Sequence, residues 1–229
     1  MALPEHRASR QQTILREMGV DVWRRRASPA ADPATAPANL PHSADLLDLN
    51  KEILTCTRCQ LHKTRTQAVC GAGAVGADIL VVGEAPGADE DRQGEPFVGK
   101  AGLLLTEMLR AIGRERNTVF IANVLKCRPP QNRDPAAGEV ASCMPFLERQ
   151  ISLINPQLML VVGRIAAQSL LRVDTPIGKL RGRVHEYGER KIPLVVTYHP
   201  AFLLRSPGQK RHAWADLLLA LDTLGAAPE

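Results

Sequence analysis

The chain has 229 residues, 45% of them apolar and 23% charged, with a formal net charge of +5. That length suits one domain of ordinary α/β size plus a tail, and the apolar share excludes global disorder. No apolar run approaches a membrane span, and the first residues (MALPEHRASR) carry charge where an export signal needs an apolar centre, so a cytoplasmic protein with no membrane partner is expected.

Residues 10–26 (RQQTILREMGVDVWRRR) set Ile14, Leu15, Met18, Val20 and Trp23 in a basic frame, and residues 1–26 read as an amphipathic partner-binding segment. The Leu–Met-Gly-Val–Trp pattern resembles the N-terminal peptide of the psi subunit of bacterial clamp-loader complexes, which implies a replication or repair protein as partner. A helix folded back onto its own domain is the equal alternative. Residues 27–43 (ASPAADPATAPANLPHS) are rich in Ala and Pro and form a linker. The remaining span, 44–229, is the globular domain. Residues 1–50 hold six basic and six acidic side chains, so the whole +5 belongs to residues 51–229 and suits an anionic partner, nucleic acid first.

Within the domain, ADLLDLNKEIL (44–54) has helical spacing, and ADILVVG (77–83) is a short β-branched run bounded by Gly, hence a buried strand. A helix follows at 101–113, a strand at 118–123, a helix at 139–154 and a strand at 157–163. The chain then continues with a helix at 164–172, a strand at 191–197 and a closing helix at 209–224. Buried strands alternating with helices predict a three-layer α/β/α domain around a central four-stranded, mostly parallel sheet. Residues 150–154 (QISLI) look like a sliding-clamp pentapeptide but fall inside a helix, where core packing explains them.

The five cysteines are Cys56, Cys59, Cys70, Cys127 and Cys143. An odd number without an export signal argues against disulfides. The Cys56–Cys59 CxxC pair with Cys127 and Cys143 can close a four-thiolate site and leaves Cys70 over; the spacing alone admits zinc or iron–sulfur. Gly71, Gly73 and Gly76 fit a GxGxxG spacing, yet they precede a strand and open no helix, so they read as a flexible lead-in and no nucleotide cofactor is expected.

In an open parallel sheet ligands bind outside the carboxyl ends of the strands. Those ends carry GEAPGADED (83–91), Asn123, Gly163-Arg164 and YHPAFLLR (198–205). The polar residues suited to catalysis therefore gather at one sheet edge. These motifs, with the EPFVGKAG run (95–102), NVLKCRPPQNR (123–133) and the four-cysteine pattern, resemble the family 4 uracil-DNA glycosylases, the iron–sulfur members of the uracil-DNA glycosylase superfamily. The likeness spans about residues 45–224.

The resemblance implies an enzyme of base excision repair that extrudes uracil from DNA and hydrolyses its N-glycosidic bond. It assigns Phe97 as the stacking ring, where a core Phe is the plainer reading, and Asn123 as the reader of the uracil edge, where a strand-end cap is the plainer one. It makes His199 the stabiliser of negative charge on uracil O2. Family 1 enzymes carry an Asp at the position of Ala85 and a methyl-blocking Tyr at that of Gly87, so water placement and thymine exclusion fall to other groups. Glu90 is nominated for pocket shaping, methyl exclusion and help in placing water, and Glu84 for a backbone contribution. Leu203 is the natural wedge into the base stack, with Leu204 as competitor, while Arg205, Lys210, Arg211 and the Lys179–Arg183 stretch would grip phosphates. The resemblance also makes Cys56, Cys59, Cys127 and Cys143 ligands of a structural [4Fe-4S] cluster that pins the 127–143 segment. A monomer is expected. A non-catalytic iron–sulfur DNA-binding protein of the same fold is the alternative, suggested by Ala85. A variant that traps uracil DNA covalently through a His is disfavoured, because no basic, His-bearing insertion follows Arg133.

Overall fold

The computed structural model describes residues 43–225. The partner-binding segment and the linker up to residue 42 lie outside the described residues. The first helix, α1 (Ser43–Thr55), has already begun at residue 43.

Four strands rich in Val, Ile and Leu form the centre of the sheet. They are β2 (Ile79–Gly83), β3 (Phe120–Asn123), β4 (Leu158–Val162) and β6 (Ile192–Thr197). All neighbouring pairs among them run parallel, in the order β3-β2-β4-β6. Being covered on both faces, they need no polar alternation, and their residues are almost wholly buried.

Two antiparallel edge strands extend the expected four to six: β1 (Ala72–Gly73) on β3 and β5 (Val184–Tyr187) on β6. The first corrects the reading of the glycines as a flexible lead-in. Gly73 has φ +132°, and a Cβ there would overlap the Val119 carbonyl, so glycine is what lets the edge strand close on its neighbour.

Successive strand residues point to opposite faces, so two cores form. On one face Leu80, Val82, Ala122, Met159, Val161 and Val196 meet α1, α4 (Ala137–Ile154), α5 (Arg164–Leu171) and the short α6 (Ile177–Leu180). On the other, Ile79, Val81, Ile121, Leu160 and Val195 meet α3 (Lys100–Ala111), α7 (Pro200–Arg205) and α8 (Lys210–Gly225). One further short helix, α2 (Ala88–Gln93), lies in the loop after β2. This is the expected three-layer α/β/α fold. Both α2 and α7 occupy stretches that show no helical periodicity long enough to read from sequence. No helix among the described residues is long and apolar enough to cross a membrane.

Candidate active site

The carboxyl ends of β2, β3 and β6 open onto one cavity of about 420 Å³, within the size range of small-ligand sites. Of the residues singled out from the sequence, Glu84, Ala85, Gly87, Glu90, Phe97, Asn123, His199 and Arg205 all line it. The 127–143 segment supplies another wall through Pro129, Asn132, Arg133 and Asp134.

Asn123 ends β3 and is only 2% exposed. Its Oδ1 is buried and accepts no hydrogen bond from the protein. Leaving such an acceptor unpaired costs about 1–3 kcal/mol, which a ligand bearing an N–H would recover. The next two amides bond across to the β2 side, Val124 N–H to the Gly83 carbonyl at 2.9 Å and Leu125 N–H to the Glu84 carbonyl at 3.0 Å. Asn123 and the Glu84 loop are thus fixed together. Gly83 is opposite Asn123 in register, and a Cβ there would fall 2.6 Å from Phe97 Cζ and overlap Asn123 Oδ1. The close approach of amide and ring therefore depends on that glycine.

Phe97 sits at φ +54°, a left-handed conformation unusual for a bulky residue and common where a site holds a side chain in place. Its carbonyl packs against the α-carbon of Gly102, where any Cβ would overlap it, and the Pro96 carbonyl accepts a hydrogen bond from Arg116. The Phe97 ring lies 5.6 Å from the His199 ring, with the planes at 30°. No sequence signal pointed to Arg116.

His199 precedes α7, and its Nδ1 accepts the Ala201 backbone N–H at 3.1 Å. The proton of a neutral ring is therefore on Nε2. Burial, helped by the Arg205 charge and opposed by Glu90, pushes the His199 pKa down to about 4. The imidazole is thus a neutral N–H donor at physiological pH. Glu84 moves the other way. Burial, with repulsion from Asp134 and partial relief from Arg164, pushes its carboxyl up to about 7.

Glu90 braces the loops. Its Oε2 accepts the Gly87 N–H at 3.1 Å, and its Oε1 accepts those of Val98 and Gly99 at 3.0 and 3.1 Å. The carboxylate thereby ties the loop after β2 to the turn that carries Phe97, and its acceptor capacity goes largely to backbone amides.

Two expectations need correction. Leu203 is 1% exposed, part of the core under α7, and cannot reach a base stack; Leu204, one residue on, is 44% exposed. Because residues 200–205 are helical, a step of one residue turns the side chain about 100°, from core to solvent. Arg181, counted among the phosphate-gripping residues, instead pairs with the fully buried Asp216 (Nη2–Oδ1 2.9 Å, Nε–Oδ2 3.0 Å). Its guanidinium lies 5.2 Å over the Tyr198 ring, next to His199. Its charge supports the β6–α7 turn from behind.

On the far side of the 127–143 segment, Cys56, Cys59, Cys127 and Cys143 line one small pocket together with Arg58, His62, Arg65 and Lys126. Arg65 Nη1 donates to Cys127 Sγ at 3.0 Å, and the Lys126 backbone N–H to Cys143 Sγ at 3.2 Å. Burial pushes the Cys143 thiol up to about 11, so a thiolate there needs a cationic partner, as a metal provides. Cys70 is not part of this pocket; its thiol faces the Asn50 carbonyl at 3.7 Å. Among the described residues no group of three or more His, Cys, Asp or Glu is arranged to hold a metal ion.

Residues 70–218 match the family model described as the uracil DNA glycosylase superfamily. The chain is 48% identical over 175 residues to a type-4 uracil-DNA glycosylase of Archaeoglobus fulgidus, covering 74% of this chain and 88% of that protein. It is 44% identical over 170 residues to a type-4 uracil-DNA glycosylase of Sulfurisphaera tokodaii, covering 71% and 77%. A third protein of that name, from Pyrobaculum aerophilum, is 42% identical over 181 residues, covering 76% and 92%.

Proposed function

The chain belongs to the uracil DNA glycosylase superfamily, in its type-4 branch, and we infer that it is a uracil-DNA glycosylase, hydrolysing the bond between uracil and deoxyribose to leave an abasic site in DNA. The observation that carries the chemistry is the convergence, in one cavity, of the Phe97 ring, the unpaired Asn123 Oδ1 and the neutral His199 imidazole.

A base inside a duplex is shielded by its stack, so the enzyme must take the nucleotide out. Phe97 offers the face on which the extruded uracil stacks. Asn123 Oδ1 accepts uracil N3–H, and its Nδ2 donates to O4. Cytosine presents the reverse pattern and is refused. As the glycosidic bond breaks, negative charge gathers on uracil O2, and His199 Nε2–H is the donor for it. Glu84, more than Glu90, is free to orient the attacking water. Leu204 fills the space in the stack, and Arg205 meets the backbone phosphates.

The four-cysteine pocket is read as the place of a [4Fe-4S] cluster and not of a single metal ion. The donor set is all thiol, and N–H groups of Arg65 and Lys126 already point at two of the sulfurs. Cys56 and Cys59 after α1, Cys127 after β3 and Cys143 on α4 would hold such a cluster and so join these three segments, letting the wall formed by Asn132 and Arg133 meet DNA as a rigid piece.

Incubation with a single-uracil oligonucleotide followed by alkali should give scission at the uracil. Binding of that oligonucleotide without release of free uracil would establish the non-catalytic alternative instead.

The wedge assignment separates two neighbouring leucines. Leu204→Ala should lower uracil release from duplex DNA about tenfold, with a smaller effect on single strands, because only the duplex needs its stack filled. Leu203→Ala should instead cost about 2–5 kcal/mol of stability, read by denaturant titration. Equal rate losses on both strand forms for Leu204→Ala would remove it from that role.

Glu84 gives a pH signature. Burial pushes its carboxyl up to about 7, and only the ionised form can take a proton from the attacking water, so single-turnover rates should climb with pH through that value and level off above it. Glu84→Gln should lose about tenfold at the plateau and the climb with it. A wild-type profile flat across neutrality would show that this carboxylate does not handle the water.

A further inference from the structure

Lys126 is the bulkiest side chain that the fold encloses completely. Its Nζ donates to the Asn123 backbone carbonyl at 2.7 Å and to Gln150 Oε1 at 2.6 Å. Its own backbone N–H meets Cys143 Sγ, and its carbonyl accepts the Val69 N–H at 2.7 Å. Gln150 is itself fully buried on α4, the helix that also carries Cys143, and its amide donates onward to the Cys70 carbonyl. One lysine thus reaches from the thiol pocket to the end of the strand that carries the amide facing the cavity.

Burying an ammonium is costly, and an apolar side chain of like size is often at least as stable. Among the described residues no carboxylate bonds to this ammonium. The lysine is therefore tied to the thiol pocket through its neighbour Cys127 and its own backbone N–H on Cys143 Sγ, while its head fixes a carbonyl two bonds from the Asn123 side chain.

We propose that Lys126, anchored by Gln150, is a positioning residue for base recognition, holding the Asn123 backbone so that its carboxamide meets the uracil edge and making that placement depend on the four-cysteine lobe. This rests on the reading of Asn123 as the uracil-recognising group.

The test is a double-mutant cycle of Lys126→Met with Asn123→Ala, using single-turnover uracil release from a uracil-containing oligonucleotide. Iron content and visible absorption of each purified protein are measured alongside. Lys126→Met should keep its iron and lose about 10- to 100-fold in rate, the scale of a small misplacement of a reacting group. It should add almost nothing to the loss in Asn123→Ala, because both act through one contact. Additive losses, or a rate that simply tracks lost iron, would overturn the proposal. If Lys126→Met does not fold, Gln150→Met keeps the lysine and removes its anchor. It should show a smaller loss, again absent in the Asn123→Ala background, and additivity there overturns the proposal equally. A normal rate for Asn123→Ala alone would sink the reading of Asn123 instead.

Discussion

Replacing His199 with alanine should lower single-turnover uracil release by about 10²- to 10³-fold while leaving affinity for uracil-containing DNA nearly unchanged. The leaving base carries its charge only as the bond breaks, so a donor aimed at O2 acts on the transition state far more than on the bound substrate. The structure prepares that donor without a positive charge. Ala201 N–H occupies Nδ1, and burial holds the ring neutral down to about pH 4. A cationic imidazole would bind anions in the ground state too and would suffer in this buried place. The same substitution has a stability signature. The folded pKa, about 4, lies below the ordinary histidine value of 6.5, so protonation disfavours the native state. Wild-type stability should therefore drop as pH falls from about 6.5 to about 4, by on the order of 3 kcal/mol, and His199→Ala should lose that part of the slope. An alanine variant with wild-type rates would transfer the charge-stabilising role to another group.

The sheet edge was legible from sequence because a parallel sheet leaves little choice. Strand ends in such a sheet share one side, so Gly83, Asn123 and the residues before His199 had to meet. The four central strands were legible too, since a strand buried on both faces needs a β-branched apolar run. The edge strands β1 and β5 were not. One is two residues long, and the other (VHEY) is partly exposed along its length. Leu203 and Leu204 are chemically alike, and only the helical phase of α7 tells them apart. The Glu90 carboxylate meets amides eight and nine residues away, at Val98 and Gly99, and Arg181 finds its partner at Asp216, 35 positions on. These pairings follow from how the elements pack, which residue type and spacing do not encode. The buried lysine beside Cys127 was likewise invisible, because a Lys next to a candidate ligand reads as ordinary surface charge.

Changing Asn123 to aspartate should shift the enzyme from uracil toward cytosine. The amide offers one acceptor and one donor, and uracil answers with N3–H and O4. An ionised carboxylate has no donor, so in that form O4 would face an oxygen, and uracil release should fall about 10²-fold as the acid ionises, the scale of one lost two-point contact. Position 123 is 2% exposed, and burial favours the protonated acid. A neutral carboxylic acid can carry its O–H on either oxygen, so it can also match cytosine N3 and N4–H₂, the pattern that the amide refuses. In the proposed roles Phe97 would stack either pyrimidine and His199 Nε2–H would meet O2 in both, so the rest of the machinery would be indifferent to the swap. Cytosine is the poorer leaving group, hence the gained activity should be slower than the native one, and it should fade as pH rises and the acid ionises. Alkali scission of paired oligonucleotides, one with uracil and one with cytosine at the same position, reads both changes in one experiment. Undiminished uracil release with cytosine untouched would mean that Asn123 does not read the base, and that discrimination lies elsewhere along the cavity wall.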